Sequence, residues 1–320
     1  MRIEVPHHTE RFGAVRIHAV QHVFEVDSGH GADGGARAYQ KVRLVPSDVI
    51  NDIEKRMVIV VPCKRERLKV LDGVLSGIPH DCLIIMVSNS PREPVDRFKM
   101  ERDTLARFCR SVQRGAVVVH QRDPGLGLAF LDAGIPEVLD DEGLVRNGKG
   151  EGMLVGMAMA KLTGRDFVGF IDADNYVPGA VHEYVKAYAA GLHLAETPYA
   201  MVRISWQSKP KIQGERLFFN RWGRTSQITN YFLNLLLSEY SGFGTETIAT
   251  GNAGEHALSI ELAQLMQFAG RFAVEPYEYL NLFELFGGVH ASPYPNAMQR
   301  GVEIFQIETH NPHFHEDKGE

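Results

Sequence analysis

The sequence is poor in the features that mark secreted, membrane-spanning and nucleic-acid-binding proteins. Only three of its 320 residues are cysteine, at wide spacing, which excludes a disulfide framework and a zinc knuckle and predicts reduced thiols. Its longest apolar runs fall far short of the roughly 20 residues that cross a bilayer. Its formal net charge is −6, so no overall positive field attracts it to a nucleic-acid backbone.

The N-terminus also lacks the pattern of a secretion signal, because charged residues and Pro6 interrupt the apolar stretch that a signal peptide needs. We therefore expect a cytoplasmic protein that has neither a membrane nor a nucleic acid as its partner. With 44% hydrophobic and 23% charged residues, the chain has the proportions of an ordinary globular protein. A homodimer is compatible with this composition, and the sequence does not decide the oligomeric state.

Short β-branched runs alternate with longer stretches of helical periodicity from residue 57 onward, which predicts an α/β fold with a mostly parallel sheet. The predicted strands are Met57–Val61, Leu83–Val87, Ala116–Val119, Phe167–Ile171 and Ala200–Ile204. The predicted helices between them are Arg67–Ser76, Val95–Gln113, Gly152–Leu162 and Pro178–Ala190. Farther along we predict helices at Ser226–Leu237 and His256–Phe268 and a strand at Val302–Ile307.

The chain divides into three regions by pattern. Residues 1–55 alternate in short pieces around a loop at Asp27–Ala36, which predicts N-terminal strands flanking the main domain. Residues 56–205 form the predicted α/β domain, and residues 206–320 are less regular.

The strongest candidate for chemistry is a pair of carboxylates, Asp172 and Asp174, that directly follows the apolar strand Phe167–Ile171. Ligands of open α/β sheets lie beyond the carboxyl ends of the strands. Such a pair can hold a hard divalent cation and a nucleotide diphosphate, and the cation would stabilise charge on the departing diphosphate. The alternative interpretation is two aspartates that only form the turn before the helix at Pro178.

Polar residues also follow the other predicted strands, at positions that suit recognition of a base or a ribose. An ordinary strand end followed by a solvated loop is the alternative at each of them. These residues are Pro62, Cys63, Lys64 and Glu66 after the first strand, Ser88 and Asn89 after the second, and Gln121 after the third.

Three segments of small residues precede predicted helices, where backbone N–H groups favour an anion. The first is Arg146–Gly152, in which Lys149 adds a positive charge; it could bind a phosphate, or be a flexible surface loop. The second could grip a phosphate or simply cap a helix on a basic patch; it comprises Gly223, Arg224, Thr225 and Ser226. The third could hydrogen-bond sugar hydroxyls or form a capped helix start; it comprises Asn252, Ala253, Gly254, Glu255 and His256.

Three histidines near the C-terminus, His310, His313 and His315, could complete the shell of a cation or belong to a solvated tail. We favour His313, because Pro312 fixes the backbone before it and Phe314 can bury. His310 is the second candidate.

Several longer strings resemble the GT-A glycosyltransferases, and among them the mannosyl-3-phosphoglycerate synthase family. They are His8–Gly13, Gly73–His80, Phe170–Tyr176, Asn252–Ala257 and Asn311–Glu316. The resemblance implies a GT-A (Rossmann-like) nucleotide-sugar-binding sheet with additional acceptor-binding and C-terminal elements. It also implies a retaining transfer of mannose from GDP-mannose to 3-phospho-D-glycerate, a step in the synthesis of the compatible solute mannosylglycerate.

The resemblance assigns roles by position. Residues 56–205 would bind the nucleotide sugar, and residues 206–320 would bind the acceptor and complete the metal site. Mg²⁺ is the expected cation, with Mn²⁺ and Co²⁺ as alternatives. Donor-binding roles fall to Pro62, Cys63, Lys64, Glu66, Ser88, Asn89, Gln121, Lys149, Asp172, Ala173, Asn252, Ala253, Gly254 and His256. Acceptor-binding roles fall to Gly223, Arg224, Thr225 and Ser226, metal-binding roles to Asp174, His313 and His310, and catalytic roles to Asp172, Asp174 and Glu255.

Other functions stay open from the sequence. One alternative is a related glucosyl-3-phosphoglycerate synthase. A sugar-1-phosphate nucleotidyltransferase would need a glycine-rich basic loop after the first strand, whereas Pro62–Glu66 contains no glycine. In a non-catalytic nucleotide-sugar-binding protein, Asp172 and Asp174 would form a turn only. For the mechanism we favour attack on the face that the leaving group vacates over a covalent intermediate on Glu255.

Overall fold

A computed structural model describes residues 1–26, 41–175, 177–213, 216–220 and 222–314. The loop predicted at Asp27–Ala36 and the candidate ligand His315 lie outside the described residues. The described strands are β1 Arg2–Glu4, β2 Thr9–Phe12, β3 Val15–His18, β4 Gln21–Glu25, β5 Val42–Leu44, β6 Met57–Cys63, β7 Leu83–Ser88, β8 Ala116–His120, β9 Phe167–Phe170, β10 Ala200–Trp206, β11 Lys209–Gln213, β12 Arg216–Asn220, β13 His256–Ser259 and β14 Val302–Thr309. The described α-helices are α1 Ser47–Lys55, α2 Leu68–Gly77, α3 Arg97–Val112, α4 Pro124–Asp132, α5 Lys149–Leu162, α6 Pro178–Leu194, α7 Arg224–Ser241, α8 Ile260–Ala263, α9 Val274–Phe286 and α10 Pro295–Arg300.

One large sheet runs through the molecule in the order β5-β1-β4-β14-β10-β13-β9-β6-β7-β8, and β11 and β12 form a separate hairpin. The block β9-β6-β7-β8 is parallel throughout, as predicted. Strand β13 runs antiparallel to both of its neighbours, β9 and β10. The carboxyl ends of the parallel block therefore meet at one edge, where ligands of such sheets bind.

Helices cover the parallel block on both faces, so its strands are buried on both sides. Met57, Ile59 and Val61 of β6 pack with α1, α2 and α6 on one face. Val58 and Val60 pack with α5, α7 and α9 on the other face. This two-sided burial explains why the sequence of β6 is a continuous apolar run.

One prediction about secondary structure is incomplete and one is wrong. Residues 1–55 contain strands as predicted, β1 to β5, and in addition helix α1 at Ser47–Lys55, which the sequence analysis did not predict. The helix predicted at His256–Phe268 is instead strand β13 followed by the short helix α8. All residues of β13 are buried, and a short apolar run buried on both faces has no periodicity that separates strand from helix.

The N-terminal strands belong to the same sheet as the predicted α/β domain, because β3 and β4 both pair in parallel with β14. The predicted boundaries at residues 55 and 205 thus lie within one continuous sheet, and the division of the chain into three functional regions stays a prediction. Among the described helices, none has both the length and the apolar character that crossing a bilayer requires.

Candidate active site

A cleft of about 430 Å³ opens at the carboxyl ends of β6, β7 and β9. Predicted donor and metal residues form most of its wall: Pro62, Cys63, Lys64, Glu66, Asn89, Gln121, Lys149, Asp172, Ala173 and Asp174. Asn147 and Gly148, from the predicted anion-binding segment Arg146–Gly152, also line it. Three residues that the sequence did not single out complete the wall: Val87, Arg271 and Phe272.

One end of the cleft carries a cluster of polar groups around Asn147. The amide oxygen of Asn147 accepts hydrogen bonds from Lys64 Nζ at 2.9 Å and from Asn89 Nδ2 at 2.7 Å. The buried carboxylate of Glu66 accepts from the backbone N–H of Lys64. Gln121 fixes the start of α5 by donating to the carbonyl of Gly148 at 3.0 Å. This end of the cleft therefore offers both donors and acceptors on a fixed framework.

A buried carboxylate, Glu101, supports these strand ends from below. It accepts hydrogen bonds from the hydroxyls of Ser88 and Ser90, each at 2.6 Å, and from Cys63 Sγ at 3.6 Å. Burial, with the charge of Glu101, raises the pKa of the Cys63 thiol well above its ordinary value. Although Cys63, Glu66 and Glu101 lie close enough to surround an ion, their bonds are made within the chain. Ser88 thus supports the wall and does not face the cleft.

At the other end of the cleft, one positive side chain lies between two negative ones. Lys149 Nζ lies 2.9 Å from Asp172 Oδ1 and 2.8 Å from Glu275 Oε1. Burial disfavours the charge of Lys149, but these two carboxylates outweigh it and raise the lysine pKa. Burial of Asp172 is likewise outweighed by Lys149, which lowers the pKa of that carboxyl. Lys149, in the first turn of α5, therefore holds Asp172 ionised.

Glu255 lies beside this pair in a fully buried position. Its Oε1 accepts from Asn175 Nδ2 at 2.9 Å, and its Oε2 has no hydrogen-bond partner among the described residues. Burial and the charge of Asp172 raise the pKa of Glu255 to about 8. In the metal-free protein these effects favour the neutral form of the carboxyl group.

His313 approaches the same group from the C-terminal segment. Its ring stacks on Trp206 with centroids 4.2 Å apart, and its Nδ1 lies 3.9 Å from Glu255 Oε1. Carboxylate oxygens suit Mg²⁺ and Mn²⁺, and an imidazole nitrogen suits softer divalent transition-metal ions. Among the described residues, Asp172, Asp174 and His313 do not have their ligand atoms within 4.8 Å of one another. The chemistry of these side chains suits a divalent cation, and their assignment as its ligands stays a prediction.

His310, the second candidate ligand, does not join this group, and that prediction is corrected. Its Nε2 faces the backbone carbonyl of Val23 on β4, and its backbone N–H donates to Glu183. The cause is the pairing of β14 with β4, which continues until just before His310 and turns its ring toward β4.

His256 also differs from its predicted role as a donor contact. The ring is fully buried, with Nε2 3.0 Å from Glu278 Oε1 and Nδ1 3.2 Å from the carbonyls of Ala253 and Gly254. Glu278 also accepts from the fully buried Arg203. His256 therefore fixes the small-residue segment from behind and does not face the cleft.

The small-residue segment itself touches the carboxylate end of the cleft. A side-chain carbon at Gly254 would lie 2.8 Å from Asp172 Oδ2 and 2.9 Å from Lys149 Nζ, so a larger residue there would displace these charged groups. Asn252 and Ala253 share a narrow gap with Ser226, at the start of α7. The predicted sugar-binding segment thus lies between the carboxylates and the predicted acceptor segment.

Helix α7 begins at Arg224. Gly223, the residue before it, has an extended backbone, and no side chain caps the first turn of the helix. Arg224 and Thr225 are exposed. Asn230 and Asn234 tie α7 to the segment before Asn252, since Asn230 Oδ1 accepts from Gly251 N–H and Asn234 Oδ1 from Ile248 N–H, each at 2.8 Å.

The chain has structural relatives among glycosyltransferases of GT-A type. Glucosyl-3-phosphoglycerate synthase from Mycobacterium tuberculosis, in complex with Mn²⁺, UDP and phosphoglyceric acid, superposes with a TM-score of 0.53 at 20% identity, over 84% of this chain and 75% of that one. The same enzyme with Mn²⁺, UDP-glucose and phosphoglyceric acid gives a TM-score of 0.53 at 21% identity, over 84% and 77%. These likenesses confirm the predicted fold.

Closer relatives identify the family. A mannosyl-3-phosphoglycerate synthase from Pyrococcus furiosus is 46% identical over the whole chain and 80% of that protein. Another from Aeropyrum pernix is 39% identical over the whole chain and 81% of that protein. The profile of the mannosyl-3-phosphoglycerate synthase family matches residues 5–320. The chain therefore belongs to the mannosyl-3-phosphoglycerate synthase family.

Proposed function

We propose that the protein transfers mannose from GDP-mannose to 3-phospho-D-glycerate, with retention of the α configuration and with a divalent cation, Mg²⁺ foremost. One observation carries this proposal: the cleft joins a polar end around Asn147 to the paired charges of Asp172 and Lys149. The names of the relatives at 46% and 39% identity support the product.

The polar end of the cleft would bind the guanine base. Guanine offers two neighbouring N–H donor groups and a carbonyl acceptor on one edge, whereas uracil offers a single N–H donor. The Glu66 carboxylate can accept from such donors, and Lys64 and Asn89 can donate to the carbonyl. This pairing of an acceptor with two donors favours GDP-mannose over UDP-glucose as the donor substrate.

The charged end would hold the diphosphate and the cation. Asp172, Asp174 and His313 are the proposed ligands, and a bound cation would stabilise charge on the leaving diphosphate. Mn²⁺ in the related glucosyl-3-phosphoglycerate synthase supports a divalent cation. Lys149, already beside Asp172, can then donate to a diphosphate oxygen.

The state of Glu255 favours same-face attack over a covalent intermediate. Glu255 is fully buried, and its raised pKa favours the neutral carboxyl group, which is a poor nucleophile. Glu255, with Asn252 and Gly254, is instead a proposed contact of the mannose ring. The acceptor hydroxyl would then attack from the face that the diphosphate leaves.

The start of α7 would bind the acceptor, which brings a phosphate and a carboxylate. Arg224 can grip two oxygens of a phosphate at once. Thr225 and Ser226 add hydroxyl and backbone N–H donors at the positive end of the helix, and Gly223 lets the turn approach closely.

Replacing Asp174 with alanine tests the proposal. Asp174→Ala should abolish mannose transfer and leave the fold intact, because an end-of-strand carboxylate contributes to the reaction and little to the core. Turnover is measured with labelled GDP-mannose and 3-phosphoglycerate at saturating Mg²⁺, with UDP-glucose as the competing donor. Asp132→Ala removes an exposed carboxylate of α4 and should be fully active. Near-normal turnover of Asp174→Ala, or a wild-type preference for UDP-glucose, would contradict the proposal.

A further inference from the structure

Phe272 is a large aromatic side chain that is exposed to solvent at the wall of the cleft. It is 82% exposed, although it lines the same cleft as the proposed nucleotide site. It is the one aromatic residue among the described residues of that wall. An apolar ring left in water at the wall of a concave site is typical of a ligand contact, because binding then removes its surface from solvent.

The residue before it has a strained backbone. Arg271 has φ +59°, in the left-handed region that residues other than glycine seldom adopt. Arg65, between the cleft residues Lys64 and Glu66, is similar with φ +68°. A third such residue, Gln113, ends helix α3, where this conformation is ordinary. Apart from Gln113, the described residues other than glycine with φ in this region are Arg65 and Arg271, and both adjoin the cleft, as expected where a binding site dictates the backbone.

Glu151 holds Arg271 in this conformation. Its buried carboxylate accepts the backbone N–H of Arg271 at 2.9 Å. Glycines allow the close approach: a side-chain carbon at Gly150 would lie 2.6 Å from the carbonyl of Ala269, and one at Gly270 would lie 2.4 Å from Glu151 Oε1. The segment is therefore anchored to the first turn of α5, the turn that also carries Lys149.

We propose that Phe272 stacks on the nucleobase of the donor, with Glu151 and the strained Arg271 backbone holding the ring in place. This inference rests on the proposed function, because it needs a nucleotide in the cleft. The charged end around Asp172 and Lys149 suits the diphosphate and the cation. The base is the part of the nucleotide with a flat face on which an aromatic ring can stack. Every base has a π face, so Phe272 provides affinity for the nucleoside without choosing among bases.

The test compares GDP with inorganic pyrophosphate, which lacks the base. Phe272→Ala should weaken GDP binding about 10-fold, the usual size for loss of one aromatic–base stack, and leave pyrophosphate binding unchanged. Phe272→Tyr should restore GDP affinity. Phe243→Ala, which removes a ring that is 78% exposed outside this cleft, is the matched control and should bind both ligands normally. Dissociation constants are measured by calorimetry with Mg²⁺ present.

Two outcomes would overturn the inference. Unchanged GDP affinity in Phe272→Ala would mean that the ring does not touch the nucleotide. An equal loss for GDP and pyrophosphate would mean that it shapes the diphosphate end instead. Failure of the proposed function is distinguishable, because the wild-type protein would then not bind GDP at all.

Discussion

Arg224 lies at the first position of α7 with its side chain exposed, where a phosphate could replace water around the guanidinium group. Arg224→Ala should raise KM for 3-phosphoglycerate roughly 30- to 150-fold, because a charge-assisted contact contributes about 2–3 kcal/mol. KM for GDP-mannose should change little. Steady-state kinetics with each substrate varied in turn measure both constants.

Arg110→Ala is the matched control for this change, since Arg110 is an exposed arginine on α3, far along the chain from α7. Loss of donor affinity with acceptor affinity intact would show that Arg224 serves the nucleotide sugar instead.

Glu255 makes the stability of the metal-free protein depend on pH. Its pKa rises from an ordinary 4.5 to about 8 on folding, so the folded state keeps a proton that the unfolded state releases. This contribution to stability is complete below about pH 4.5 and is lost as pH rises toward 8, with a slope on the order of 1 kcal/mol per pH unit. Asp172, whose pKa is lowered, contributes a constant amount over this range.

Glu255→Gln should therefore have a flatter stability profile than the wild type between pH 5 and 8. Urea unfolding at several pH values, with a chelator present, measures this difference. If the stability of the two proteins changed with pH by the same amount, Glu255 would not keep a proton on folding.

Among individual residues, those that directly follow strands could be predicted from the sequence, because the geometry of a parallel sheet brings them together at one edge. Sequence reasoning could not find Arg271 and Phe272, which approach from a distant segment whose position depends on Glu151. It also misplaced His256, since a histidine beside small residues looks alike whether its ring faces a ligand or Glu278.

Helix α5 packs against β6 so closely that one position excludes any side chain. A carbon added at Gly156 would lie 2.3 Å from Val60 Cγ1, and β6 is buried between two layers of helices. Gly156→Ala should therefore destabilise the protein by about 2 kcal/mol, the usual size for overpacking, even though alanine favours helix. Urea unfolding of the apo protein measures the change.

Gly179→Ala is the control, because Gly179 also lies in a helix but has no atom within 4 Å of an added carbon. It should be as stable as the wild type or slightly more so, because alanine has less freedom to lose on folding. Equal stability of the two variants would show that α5 and β6 can separate without cost.

Elements with strong periodicity were predictable, and those set by their neighbours were not. The strands of the parallel block and helices α2, α3 and α6 appear within a few residues of their predicted positions. Strand β13 was predicted as a helix. Its extended conformation depends on pairing with β9 and β10 on either side, and the local sequence does not encode this pairing.

At the scale of the whole molecule, β13 joins two parts of the sheet that both contribute residues to the proposed active site. The block from β9 to β8 holds the cleft, and the strands from β10 to β5 extend the sheet to the N-terminus. The long strand β14 lies in this second part and leads to His313. Family membership explains why both parts were recognisable from the sequence, through strings scattered from His8 to Glu316.

The ties from Asn230 and Asn234 to residues 248–251 have a consequence for redesign. They make α7 and the segment before Asn252 a single unit, so a graft that replaces α7 with the helix of another transferase would displace the sugar-facing residues as well. Acceptor and sugar preferences would then change together. A successful exchange would have to transplant residues 223–255 as one cassette, with its junctions at the end of the β11–β12 hairpin and at the start of β13.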